Sequence, residues 1–296
     1  MVGLRSFRMA LAGCAVLFSQ TLAFAAAPEG TKLYIFSSGW LNLEKSLVQS
    51  TATNDRIKVP VSFYVIKHPK GVVLFETGNN DRIITDPTYW GPFIQGIQPD
   101  RNPEVAIDLQ LAKIGLKPND INYVIISHLH LDHAGNVSKF PNATLVYQRD
   151  EVVNAFWPKP GTAGSYITGD FEALRAPLGA PNASRQPVIE LDGDLDLFGD
   201  GSIYLHRAAG HTPGTQLALV RLPKTGLVIL TSDTLHLKEN LDKNVLPSLG
   251  LVYDPVAYYN GYSYIRRIRD LEHGDVLPTH DAEAFNAHKH APEYYE

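Results

Sequence analysis

The densest chemistry in the chain lies in Ser127-His128-Leu129-His130-Leu131-Asp132-His133-Ala134-Gly135-Asn136, where four residues able to bind a metal share six positions. Ile121 to Ile126 just before it is apolar and rich in β-branched residues, so it reads as a buried strand, and Gly135 and Asn136 read as a turn. In an extended segment alternate residues share a face, so His128 and His130 can point at one ion while Leu129 packs behind them. Asp132 continues the alternation and His133 breaks it, which requires a bend toward a second, adjacent position. Imidazole and carboxylate without thiolate suit zinc, with manganese, iron or cobalt as alternatives.

This block leaves both positions short of ligands, and three later stretches supply candidates. His211 lies in Gly210-His211-Thr212-Pro213-Gly214, after the strand-like 202–206. Asp233 follows the apolar 227–230, and His280 follows the short apolar 275–278. Each candidate stands just past a predicted strand, and loops at a sheet edge are where a rigid scaffold presents reactive groups.

The His-x-His-x-Asp-His block, the Gly-His-Thr-Pro-Gly block, the Asp after a strand and the late His, in this order, resemble the metallo-β-lactamase superfamily. Val72 to Gly78 resembles that family's early strand and Asp-Thr-Gly turn, with Glu76 where Asp is usual and in a supporting role. The resemblance implies an α/β fold, a four-layer αβ/βα sandwich of two mixed sheets flanked by helices. It implies that His128, His130 and His211 hold one divalent ion, that Asp132, His133 and His280 hold another, and that Asp233 bridges them. Asp132 and His236 are the candidates for catalytic roles.

The elements that must position these groups can be traced along the chain. Met1 to Ala25 carries Arg5 and Arg8, an apolar run and Ala23-Phe24-Ala25, the pattern of a secretory signal peptide. This leaves 26–296 as the hydrolase domain and predicts a periplasmic or secreted location. Leu11-Ala12-Gly13-Cys14 also fits a lipoprotein box, a minor alternative because the apolar segment continues past Cys14. Cleavage removes the only cysteine, and two arginines but no acid, from a chain of formal charge −5. An acidic mature protein argues against a nucleic-acid partner, and no later stretch is apolar enough for stable membrane insertion. The partners expected are a small lactone or ester and, in a homodimer, a second copy of the chain.

Strands are predicted at 31–37, 59–67, 144–147, 188–197, 202–206, 215–221 and 227–230, with helices at 105–114, 150–156 and 257–271. The last of these is expected to carry Ile265, Ile268 and Leu271 on one side. Residues 40–57 read as a polar loop. The long stretch 78–103, with Tyr89, Trp90 and Phe93, reads either as a functional loop or as cover for the core. Trp157, Tyr166 and Phe171 are candidates to line a pocket or pin the irregular 159–187. His68, His206, His273, His288 and His290 are expected to be solvated or structural. Asn142-Ala143-Thr144 and Asn182-Ala183-Ser184 match glycosylation acceptors, with no glycan expected in a bacterial export context.

Two such ions lower the pKa of a water or hydroxide between them and polarise a carbonyl, which supplies a nucleophile without Ser or Cys. The natural reaction is hydrolysis of an ester-like bond. By the resemblance, Asp233 argues against β-lactamase activity, the short tail after His280 against a glyoxalase II, and the intact histidines against a flavodiiron protein. The stretch from Ser232-Asp233-Thr234 to Val252-Tyr253-Asp254-Pro255 resembles the branch that opens N-acyl-homoserine lactones (quorum quenching). Many of that branch carry Tyr three positions after the bridging Asp to hydrogen-bond the substrate carbonyl. Here that position is His236, expected to donate to the developing oxyanion. Trp90, Phe93 and Leu129 or Leu131 are expected to hold the acyl chain. The alternatives are an organophosphate or aryl-ester hydrolase of the same fold, favoured by an aromatic pocket near His236, and a non-catalytic metal-binding protein.

Overall fold

The computed structural model describes residues 27–159, 165–175 and 186–296. The leader pattern at 1–25, Cys14 and the Asn182 acceptor pattern lie outside them.

Alternating apolar runs with turn residues between them give β1 (Lys32–Glu44), β2 (Arg56–His68), β3 (Gly71–Phe75), β4 (Gln98–Pro99), β5 (Tyr123–Ile125), β6 (Thr144–Gln148) and β7 (Val188–Leu191). These form one sheet in the order β4-β1-β2-β3-β5-β6-β7. The second sheet contains β8 (Leu195–Asp196), β9 (Ile203–Arg207), β10 (Gln216–Leu222), β11 (Gly226–Leu230) and β12 (Asp275–Leu277), in the order β12-β11-β10-β9-β8. Both sheets are mixed: β3, β5, β6 and β7 run parallel, as do β11 and β12, and the other pairings are antiparallel.

The period of two along the strands sorts side chains into layers. Leu33, Ile35, Tyr64 and Ile66 pack between the sheets against Ile203, Leu205, Val220 and Leu230. Their neighbours Tyr34, Phe36, Phe63 and Val65 face outward onto Ile107, Leu111 and Ala155 of the helices Ile107–Ala112 and Arg149–Phe156. On the far side, Leu217, Leu219, Leu227 and Ile229 receive Tyr258, Tyr262 and Ile265 from the helix Pro255–Glu272. The result is a helix–sheet–sheet–helix sandwich, as the resemblance implied. Among the described residues no helix is long and apolar enough to cross a membrane.

Four local expectations are corrected. First, residues 40–57 do not form a polar loop. β1 runs on to Glu44 past a register shift between Ser37 and Trp40, where Gly39 has φ +111. The bulge resets the alternation, so Leu41 and Leu43 stay buried although Ser38 and Asn42 made the stretch look polar. Second, 188–197 is not one strand: the chain breaks at Gly193, φ +125, and β7 and β8 belong to different sheets. Third, Leu271 is exposed, because six residues after Ile265 is not one face of a helix with 3.6 residues per turn. Fourth, Trp90 is 1 % exposed and packs beside Ile83, covering the core rather than facing a ligand.

Candidate metal centre

All ligand candidates project from loops that follow strand ends at one edge of the two sheets. The motif leaves β5, and its turn is clamped by the loop after β3. Thr77 donates its N–H to the His133 carbonyl at 2.7 Å, and Gly135 N–H donates to the Gly78 carbonyl at 2.9 Å. A side chain on Gly135 would overlap the backbone of Asn79 and Asn80, so only glycine lets the two loops meet. Asp233 sits in the turn after β11, preceded by Ser232 at φ +45, a left-handed conformation that is strained for serine. His280 follows β12 and is tied to that turn by its N–H to the His236 carbonyl, 3.0 Å.

The structure brings the seven residues together. His211 Nε2 lies 2.9 Å from His130 Nδ1 and 3.2 Å from Asp233 Oδ2, and His128 Nε2 lies 3.7 Å from the same oxygen. The other oxygen, Asp233 Oδ1, faces His133 Nε2 at 3.3 Å and His280 Nε2 at 3.4 Å. Asp132 Oδ2 completes that side, 3.4 Å from His280 Nε2 and 3.6 Å from His133 Nε2. The carboxylate of Asp233 is thus shared, one oxygen to each half.

The backs of three rings meet hydrogen-bond partners, and that of His133 faces a carboxylate. Ser127 Oγ is 2.9 Å from His128 Nδ1 and itself accepts from Ser232 Oγ. His211 Nδ1 is 2.8 Å from the Leu251 carbonyl and His280 Nδ1 2.8 Å from the Pro60 carbonyl. His133 Nδ1 is 3.2 Å from Glu76 Oε1, and Glu76 adopts φ +70 to reach it. Such partners fix ring orientation and leave the front nitrogen for a metal. Those front atoms fit cations: His128 Nε2, His133 Nε2 and Asp233 Oδ1 are buried without a hydrogen-bond partner, an arrangement that is costly unless an ion satisfies it.

The two halves differ electrostatically. Burial, reinforced by neighbouring histidines, holds His128 and His130 well below the usual imidazole range and takes His211 to about 3. Burial would also lower His133 and His280, but Asp233 and Asp132 outweigh it, with Glu76 adding to His133, so both are raised. Asp233 is pushed up by burial and, more strongly, down by the surrounding histidines, so it is held ionised.

Sequence reasoning missed Glu151. It is buried in the helix Arg149–Phe156, accepts the Leu129 N–H at 2.8 Å and the Gly214 N–H at 3.2 Å, and takes a hydrogen bond from Thr212 Oγ1. It therefore pins the segment carrying His128 and His130 to the loop carrying His211. In sequence it reads only as an acid in a helix's first turn, where acids are favoured anyway. The other histidines lie elsewhere. His68 meets Ser202, His206 meets Asp194, His273 ends the long helix, and His288 and His290 hold the C-terminal segment through Asp275, Ala284 and Phe285.

A sandwich of this topology with buried His and Asp converging at one strand edge defines a metal-dependent hydrolase class. The sequence model of the Metallo-beta-lactamase superfamily matches residues 56–280. The chain is 33% identical to an N-acyl homoserine lactonase, AttM, of Azorhizobium caulinodans, over 90% of this chain and 98% of the relative. It is 32% identical to AttM of Rhizobium johnstonii, over 89% and 98%. Among solved structures it is similar to an N-acyl homoserine lactone hydrolase with N-hexanoyl-L-homoserine bound at the catalytic metal centre. There the TM-score is 0.76 and the identity 26%, covering 89% of this chain and 98% of that one. The chain belongs to the metallo-β-lactamase superfamily, and it is a metal-dependent hydrolase.

Proposed function

We propose that the chain is an exported enzyme that opens the ring of N-acyl-homoserine lactones using two divalent ions, zinc first among the candidates. The observation that carries this reading is what borders the divided Asp233 carboxylate. The pocket against His130, Asp132, Asp233, His236 and His280 is walled by Leu41, Leu43, Leu47, Val48, Ile97, Leu131 and Leu251, with Ser165 at its polar side. Among the described residues this wall is mostly aliphatic, which suits an acyl chain. Leu131 takes part and Leu129 does not, since Leu129 is buried in the core under the first sheet.

His128, His130 and His211 would hold one ion, Asp132, His133 and His280 the other, with Asp233 between. Bound there, the ions would lower the pKa of a shared water and withdraw density from the carbonyl under attack. The chain's own part is placement and proton transfer. The leucine wall excludes water and sets the acyl chain so that the lactone carbonyl meets the carboxylate edge. Water adds to the carbonyl carbon, the ring C–O bond breaks, and the proton released by the water ends on the ring oxygen, giving a hydroxy acid. Asp132, half-buried at the pocket, directs Oδ2 to the histidines, and its Oδ1 is the atom that would carry that proton.

The test is a substrate panel on metal-replete protein: N-hexanoyl-homoserine lactone followed by proton release, against nitrophenol release from an acetate ester and a phosphotriester. The lactone should lead by about a hundredfold or more in kcat/KM, some 3 kcal/mol. A phosphotriester preference would overturn the reading. Export rests on the 1–25 pattern and is checked by whether the cell-envelope or secreted form starts near residue 26.

A further inference from the structure

Apart from the ligand candidates and His236, Ser165 is the one polar side chain that the described residues bring to the pocket wall. Its position is set by buried contacts on the segment that carries it. The Ser165 carbonyl accepts the N–H of Leu131, the residue between His130 and Asp132, at 2.9 Å. Beside it the buried Tyr166 places its ring 4.8 Å from that of His130, centre to centre. The Tyr166 hydroxyl accepts from Asn154 at 2.8 Å and donates to Glu151 at 3.3 Å. Farther along, Asp170 accepts from Asn80 and Tyr89. The side-chain hydroxyl of Ser165 is half-buried and makes no hydrogen bond among the described residues. A pre-placed hydroxyl in an otherwise aliphatic wall is the kind of group that fixes the orientation of a ligand.

The inference rests on the lactone-opening activity proposed above. Such a substrate carries one amide between its ring and its tail, and the amide carbonyl carbon is three bonds from the ring carbonyl carbon. With the ring carbonyl at the Asp233 carboxylate, the amide must lie at the ligand end of the pocket. The tail then runs on along Leu41, Leu43, Leu47 and Val48. Ser165 stands at the ligand end, tied to the backbone between His130 and Asp132. An amide carbonyl placed against leucines without a donor costs free energy. We propose that the Ser165 hydroxyl donates a hydrogen bond to the substrate's amide carbonyl, so that Ser165 selects acylamino lactones over alkyl lactones of the same length.

The test compares N-hexanoyl-homoserine lactone with α-heptyl-γ-butyrolactone, in which two methylenes replace the amide. Wild type, Ser165→Ala, Ser165→Thr and Ser165→Val are assayed in metal-replete form, and the ions per chain are measured for each. The hydrogen bond is the same in bound substrate and transition state, so its loss falls on KM rather than kcat. Ser165→Ala and Ser165→Val should each lose about tenfold in kcat/KM on the amide substrate, and about twofold or less on the alkyl lactone. Ser165→Thr keeps a hydroxyl at nearly the volume of valine and should stay close to wild type. Equal losses on the two lactones, a loss carried by kcat, Ser165→Val matching Ser165→Thr, or no loss at all overturns the proposal and leaves lactone opening standing. A variant that sheds its ions falls on both lactones alike and counts against the proposal in the same way. A wild type that opens neither lactone overturns both.

Discussion

The two halves of the metal centre share one carboxylate and little else. On the side of Asp233 Oδ2 stand His128, His130 and His211, which burial holds below the usual imidazole range, ready to donate electron pairs, and His236 Nε2 lies 3.2 Å from the same oxygen. Around Asp233 Oδ1 stand Asp132, His133 and His280, where carboxylates raise the histidines so that protons compete for the site. An ion entering the first half displaces almost nothing, whereas one entering the second must displace protons, so its affinity depends on pH. One shared carboxylate thus joins a half whose histidines are lowered to a half whose histidines are raised.

Breaking the bridge has the largest expected effect. Asp233→Ala removes a ligand from both halves and should cut kcat/KM by about a thousandfold or more, the equivalent of losing several kcal/mol of metal assistance. Metal analysis should find less than one ion per chain.

Separating the halves sharpens the contrast. His211→Ala and His280→Ala should each retain one ion. The ion left in His211→Ala sits in the proton-laden half, so it should be released at higher pH than the ion left in His280→Ala. The sign follows from the shifts: a raised imidazole keeps its proton to higher pH, and that proton excludes the ion. Equal release profiles in equilibrium dialysis would contradict the asymmetry.

A smaller effect is expected one contact away. Glu76→Ala leaves every ligand in place but removes the carboxylate behind His133. It should weaken metal binding in the second half by about ten- to a hundredfold and leave the first half unchanged, measured by chelator competition.

The smallest effect lies outside the centre. Asp170, buried and accepting from Tyr89 and Asn80, is pushed up to about 7, mainly by burial. The stability this shift contributes is present below the unfolded value near 4 and is lost as pH rises through about 7. Asp170→Asn should therefore match wild type at acidic pH and melt higher by about 2 °C or more at alkaline pH. Parallel melting curves across pH would rule this out.

The centre was largely legible in the sequence because each ligand follows an apolar run, and the ends of strands can be read from local pattern. What stayed hidden depends on distant contacts. The bulge near Gly39 made a buried strand look polar. Gly193 sent one apparent strand into two sheets. Glu151 is unremarkable until its carboxylate is seen between two ligand loops. The pocket wall was expected from the aromatics Trp90 and Phe93, but Trp90 fills the core, and Leu41 and Leu43 of the β1 extension, Leu47 and Val48 of the short helix after it, Ile97 and Leu131 take its place.

The most direct check is metal content of the wild-type chain, dialysed against zinc at neutral pH and then at stepwise lower pH. Two ions per chain at neutral pH, falling first to one and only later to none, is the predicted result. A chain that holds no ion, never holds more than one, or releases both in a single step would contradict the account.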